Sequence, residues 1–188
     1  MAAGGGGTGV LILWRRLDTP GHDACCLRHD GERWQLEGMA VWRDAAGPAW
    51  MGYTVACGDD WLPRSARVQG RVGGRALSLS IRRGGQGEWR VNGDEVPGSH
   101  GLMDLDLGFT PATVTLTLNR LKTAGGGDSA AASLDAGDWR LKPLHRTCRR
   151  QDDGRWHFRA AETGFEAVLA VNRHGFVTDY PGVWTEED

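Results

Sequence analysis

The sequence predicts an all-β protein, a single antiparallel meander of about 12–15 strands curled into an open or closed barrel. Three observations carry this. Period-two alternation recurs along the chain: Leu77, Leu79 and Ile81 share one face with serines on the other, and Phe165, Ala167, Leu169 and Val171 form a similar row. The 29 glycines fall between such segments as turn residues. No window of twelve or more residues keeps a helical period.

The alternation places strands near 10–16, 23–29, 33–43, 49–57, 64–72, 75–83, 87–91, 94–96, 103–107, 112–120, 139–150, 155–160, 165–172 and 176–179. Asn92-Gly93 suits a type I′ hairpin because both residues tolerate positive φ, and Asp30-Gly31, Gly73-Gly74 and Asp153-Gly154 read likewise. The 112–120 strand rests on Val114, Leu116 and Leu118 alternating with Thr113, Thr115 and Thr117. Consecutive hairpins make a meander, and so many strands leave costly edges unless the sheet curls. Residues 122–138 (KTAGGGDSAAASLDAGD) are small, polar and patternless, which predicts a flexible loop, and residues 1–9 are expected to be disordered. Residues 10–188 are expected to form a single barrel-like domain.

Composition narrows the partners. Lys and Arg number 22 against 24 Asp and Glu, a formal net charge of −2, so the balance offers no basic footprint for nucleic acid or an anionic membrane. Cys25, Cys26, Cys57 and Cys148 show neither CxxC nor zinc spacing. Adjacent Cys25 and Cys26 point to opposite strand faces, and all four read as reduced thiols. The apolar run Val10–Leu13 is too short for a signal peptide, and its arginines follow it instead of preceding it. No stretch reaches transmembrane length, and the expected address is cytoplasmic.

Nine tryptophans are several times ordinary usage. Trp34, Trp61, Trp89, Trp139 and Trp156 each follow a glycine- or aspartate-bearing turn, and Leu36, Val91, Leu141 and Phe158 sit two residues beyond four of them on the same strand face. Two readings follow: rings that plug the ends of a barrel, or rings that line an apolar cavity for a lipid or sugar. Trp42 and Trp50 flank the Ala45–Pro48 turn, and this pair is the candidate mouth.

Among polar residues, Asp104 and Asp106 alternate with Met103, Leu105 and Leu107, which puts both carboxylates on one face with Cα atoms about 6.6–6.8 Å apart. That spacing suits a general acid/base pair or a bridging cation, against a plain solvated face. Arg67, Gln69 and Arg71 share a face that can meet those carboxylates, an anionic head group or solvent. The six histidines form neither HxH nor HExxH, there is no Gly-x-Ser-x-Gly elbow or Walker A sequence, and the match of Gly4, Gly6 and Gly9 to GxGxxG lacks its strand and helix. No metal site, cofactor or catalytic machinery is expected.

Two longer stretches add to this. Asp104-Leu-Asp-Leu-Gly-Phe-Thr-Pro-Ala-Thr113, with Leu116 and Arg120-Leu121, resembles the central signature of a bacterial glycolipid-binding family long catalogued as a domain of unknown function. Gly175-Phe-Val-Thr-Asp-Tyr-Pro-Gly-Val-Trp184 resembles its closing motif, and Trp34–Gly38, Arg67–Gly70 and Val96–Gly98 fit between. The resemblance implies a curled antiparallel sheet akin to lipoprotein-carrier half-barrels. It also implies a non-enzymatic protein holding a glycolipid or fatty-acyl amphiphile, with the label resting on likeness of fold. Trp42, Trp50, Trp61 and Tyr53 would then line or gate the cavity, and Asp104, Asp106 and Arg67 would meet the polar head. Thr110 and Thr113 can cap backbone groups or a ligand hydroxyl. The Pro181-Gly182 turn folds Tyr180 and Trp184 back as a structural latch or a lid. The alternatives are a small hydrolase-like enzyme using Asp104 and Asp106, and an interaction module with a filled core.

Overall fold

The structure, a computed structural model, describes residues 9–187; the stretch 1–8 of the expected disordered terminus lies outside the described residues. Strands β1 (Val10–Arg16), β2 (Gly21–His29), β3 (Trp34–Asp44), β4 (Gly47–Cys57), β5 (Pro63–Val72) and β6 (Arg75–Arg83) follow one another as antiparallel hairpins, and β7 (Trp89–Val91) and β8 (Asp94–Glu95) extend them to one edge. The chain then forms β9 (Asp104–Leu107), helix α1 (Val114–Leu121), a 3-10 turn (Lys122–Ala124) and β10 (Gly126–Leu134). It finishes through β11 (Leu141–Arg150), β12 (Trp156–Ala160), β13 (Glu166–Val171), β14 (Val177–Tyr180) and β15 (Trp184–Glu186).

All of these strands belong to one 15-stranded sheet, because β15 pairs with β1 and so joins the two series; its edges are β8 and β9. Hydrogen bonds do not close the sheet. The residues between the edges, 96–103, can span at most about 30 Å, so the edges must approach each other and the sheet must curl. The edge strands have 2 and 4 residues, which leaves little unpaired backbone to recruit another chain.

The expected meander holds except at one place. β9 pairs parallel with β10, Asp104 opposite Ala131 through Leu107 opposite Leu134, and a parallel pair needs a crossover. Helix α1 supplies it, where the alternation of Val, Leu and Thr predicted a strand. Val114, Leu118 and Leu121 are also spaced i, i+4, i+7, and they join the cluster of Cys148, Trp156, Phe158 and Leu169. Leu116 joins the main cluster with Leu105 and Phe109, and Thr115 and Thr117 are buried as well. A helix buried on every side has no polar face to reveal its period. The segment 122–138 is likewise corrected: most of it is β10, whose alanines Ala131 and Ala132 are buried between β9 and β11. Small side chains there let the strand pass beneath the helix.

Tryptophans do begin β3, β7, β12 and β15. Trp61 and Trp139, in contrast, sit in the turns before β5 and β11 with left-handed backbones, φ 61 and 60. Trp14 and Trp89 act as cross-links, their indole N–H groups donating to the carbonyls of Val177 and Leu102 at 2.6 and 2.7 Å. The four cysteines are unpaired, and Cys25 is buried while Cys26 is part-exposed.

Gly38 marks one close approach. It lies opposite Tyr53, whose ring crosses β3 at this point, and a Cβ at residue 38 would fall within 2.5 Å of the Tyr53 Cζ. Gly38→Ala is therefore expected to lower stability by about 1–3 kcal/mol in a denaturant titration. Gly52→Ala, whose Cβ would have its nearest neighbours at 3.7 Å, is expected to leave stability unchanged or slightly raised. Equal effects would contradict this reading of Gly38.

Candidate functional site

A cleft of about 650 Å³ opens on the concave side between β9, β10, β11, β12, α1 and the β14–β15 hairpin. Its size falls in the range of small-molecule sites. One wall is aromatic: the rings of Phe158, Phe165 and Tyr180 meet edge to face with centroids 5.3–6.3 Å apart. Pro111, Val114, Leu144, Val183 and Trp184 continue the apolar lining, and Asp106, Ser133 and Arg146 form a polar patch within it.

That patch is assembled by four elements. Asp106 Oδ1 accepts from the Thr113 hydroxyl at 3.3 Å, and Oδ2 accepts from Ser133 at 2.9 Å. Thr113 in turn accepts the Leu107 N–H, which fixes the start of α1 against β9. Arg146 is 2% exposed and approaches Asp106 only to 3.6 Å, beyond a hydrogen bond. Its Nη2 donates to Thr117 and Ser129, its Nε is buried with no partner among the described residues, and its guanidinium lies 5.8 Å from the Phe158 centroid. Burial, with the Asp106 charge nearby, pushes the Tyr180 hydroxyl above its ordinary value, so it stays a protonated donor in the cleft at neutral pH.

Asp104 shares the face of Asp106 as the alternation predicted, yet it does not open into the cleft. It is fully buried, gripped by Arg120 at 3.1 and 2.6 Å and by the Ser129 hydroxyl at 2.6 Å. A solvated face is thus corrected to a sealed bidentate pair beside a half-buried carboxylate.

The predicted residues separate. Asp106, Thr110, Tyr180 and Trp184 line the cleft, and Thr113 braces it. The Pro181-Gly182 turn forms as expected, with Val183 N–H on the Tyr180 carbonyl at 2.9 Å and Gly182 at φ 74, and the hairpin it makes carries β15 onto β1. Trp42 lies elsewhere on the concave side, stacked with Phe109 and Trp139. Trp50 cannot share a mouth with it: Trp42 is opposite Ala49 and Trp50 opposite Val41, so the rings occupy opposite faces. Trp61 stacks on Trp34 at 4.4 Å beside a separate cavity of about 420 Å³. Arg67 is exposed on the outer face and meets neither aspartate, both of which are served by Arg120 and Arg146.

Tyr53 belongs to a buried knot that the sequence did not reveal. Asp23 accepts its hydroxyl at 3.0 and 3.2 Å and that of Thr110 as well. No cation among the described residues compensates this carboxylate, and burial pushes it up to about 6 from an ordinary 3.8, against the opposing hydrogen bonds of Thr110 and Tyr53. Arg146, Phe158 and Phe165 were also missed. The signal for Arg146 was its place between Leu144 and Cys148 on one strand face, an arginine at an apolar phase.

The sequence profile of the family described as "Putative glycolipid-binding" matches residues 11–186. The chain belongs to this family. Its fold is similar to that of a DUF1089 family protein from Pseudomonas aeruginosa, known from a crystal structure at 1.80 Å, with TM-score 0.76 and 26% identity over 88% of this chain and 91% of that one. A search of curated proteins finds no match.

Two stability outcomes follow. The native state holds the Asp23 proton more tightly than the unfolded chain, so stability is highest below pH 3.8 on this account and declines until about pH 6. The loss attributable to Asp23 is about 3 kcal/mol, and unfolding measured across that window should flatten in Asp23→Asn. Arg120→Met should cost about 3–5 kcal/mol by stranding the Asp104 charge, and Asp104→Leu added to it should recover most of the loss.

Proposed function

We propose that the protein binds an amphiphile with an uncharged, hydroxyl-rich head group, of the glycolipid kind, in the cleft between α1 and β11–β12, without acting on it chemically. The observation that carries this reading is the cleft itself: an aromatic and aliphatic wall with one polar patch whose donors and acceptors are not all used. The alkyl part packs on Phe158, Phe165 and Leu144, where each buried methylene contributes about 0.8 kcal/mol. The head group meets Asp106 as an acceptor and Arg146 and Tyr180 as donors, an arrangement suited to neighbouring hydroxyls.

Charge favours a neutral head. The cleft is lined by Asp106, Asp135 and Glu162 against Lys142 and Arg146, and Lys142 is already held by Asp135 and Asp138 at 2.6 and 2.8 Å. An anion entering there meets a carboxylate surplus. The family description points the same way. Hydrolysis by an Asp104–Asp106 pair is disfavoured because Asp104 is enclosed by Arg120 and Ser129 and lies outside the cleft lining.

Dodecyl maltoside below its micelle concentration is expected to change the Trp184 contribution to fluorescence and to appear bound in native mass spectrometry, and dodecyl phosphate to bind more weakly. Leu144→Trp, which fills the cleft from a part-exposed position, should reduce maltoside affinity tenfold or more, the scale of losing two buried methylenes, about 1.6 kcal/mol. Absence of maltoside binding to the unaltered protein, or full binding by the filled variant, would remove the proposal.

A further inference from the structure

The outer face of β1–β4 carries a feature unrelated to the cleft. Most of the exposed large apolar side chains among the described residues are gathered there: Leu11 is 77% exposed, Met39 51%, Trp50 and Val41 43% each, and Leu13 40%. The register makes them neighbours. Leu13 is opposite Ala24, Ala24 opposite Met39, and Met39 opposite Gly52, while the next row runs His22, Val41, Trp50 and Arg71. Residues directly opposite project to the same side. The patch thus covers four strands and two to three rows, roughly 15 by 14 Å. Scattered apolar residues on a surface need no explanation, but a contiguous patch marks a contact face.

Its rim is basic. Arg15, Arg28, Arg43, Arg67, Arg71 and Arg82 share this face, while its carboxylates over β1–β6 and the flanking β14–β15 hairpin are Glu37, near Arg28 at 3.5 Å, Glu187, paired with Arg15 at 3.0 Å, and Asp179, which lies with Arg15 on either side of Thr185. Arg67 and Arg71 meet no carboxylate among the described residues. The chain as a whole carries −2, so the fold segregates positive charge onto the side that bears the apolar patch. The even composition gave no hint of this, because a sum over residues hides their distribution.

We propose that the outer face of β1–β4 docks the protein on the surface of a lipid bilayer that contains anionic lipid. The apolar centre enters the boundary of the acyl region, where the amphipathic ring of Trp50 is at home. The arginine rim meets lipid phosphates, each cation near such a surface strengthening association roughly fivefold. A second copy of the chain fits less well, since face-to-face docking sets arginine rim against arginine rim. Nucleic acid would leave the apolar centre without a partner. The inference does not depend on the cleft holding an amphiphile.

Co-sedimentation with vesicles tests it. The protein is expected to bind vesicles of phosphatidylcholine mixed with phosphatidylglycerol, to bind pure phosphatidylcholine far less, and to be released by added salt. Leu11→Ser with Met39→Ser and Trp50→Ser should lower partitioning more than tenfold, and Arg67→Gln with Arg71→Gln roughly twenty-five-fold. All five side chains are exposed, so both variants should keep the thermal unfolding curve and the maltoside binding of the unaltered protein. Leu144→Trp should bind vesicles normally, which separates failure of this face from failure of the cleft. The proposal is overturned if the unaltered protein ignores anionic vesicles at low salt, or if both variants bind as it does. A stable dimer in light scattering that the serine variant dissolves would likewise overturn it, by assigning the face to a second copy.

Discussion

Two carboxylates two residues apart on β9 enter the interior of the sheet together, and an uncompensated charge cannot remain there. Asp104 is answered by Arg120, which reaches it only if the chain turns back across the concave side as α1. Asp106 is answered by Arg146 from β11, Ser133 from β10 and Thr113 at the mouth of the helix. Ser129 joins the two centres, accepting from Arg146 and donating to Asp104. The demand for compensation therefore ties β9, α1, β10 and β11 into one assembly. The parallel β9–β10 pair, which breaks an otherwise antiparallel sheet, is its topological consequence.

With the crossover in place, the concave side divides. Towards β2–β4 it is filled by Phe109, Trp42 and Trp139 in loose stacks, with Asp23, Tyr53 and Thr110 knotted beneath. Towards β12–β15 the helix covers only part of the sheet, and the cleft is the space left over. Thr110 belongs to both regions, which explains why a Thr-Pro pair stands at the end of β9. Its hydroxyl binds Asp23 and accepts the Ala112 N–H, while Pro111 directs the chain into the helix along the cleft wall.

Much of the sheet was legible because half-buried antiparallel strands alternate, and Leu77-Ser-Leu-Ser-Ile81 or Trp156–Phe158 do so plainly. Helix α1 was not, because residues 114–118 satisfy period two as well as i, i+4, and the buried threonines removed the polar stripe that distinguishes them. β10 was hidden for the opposite reason: flanked on both sides and roofed by the helix, it needs small residues, and Ala-Ala-Ala with glycines resembles a linker. The motif around Asp104 and Tyr180 did lead to the cleft. The tryptophans did not, since which face a ring occupies depends on hairpin register, and the register that puts Trp42 inside puts Trp50 outside.

The two ion pairs, built on one strand face, differ in a way that bears on function. Asp104 and Arg120 meet in a bidentate fork, and the Ser129 hydroxyl takes a further position on the carboxylate, a geometry that closes the pair to other partners. Asp106 and Arg146 stand 3.6 Å apart, their remaining bonds are to hydroxyls, and the buried guanidinium Nε has no partner among the described residues. Leaving buried donors short of acceptors costs stability. A closed pair would give the fold more and the cleft less. An open pair beside an aromatic wall keeps hydrogen-bonding capacity in reserve, and a group that slips hydroxyls between the two charges recovers part of what folding left unpaid.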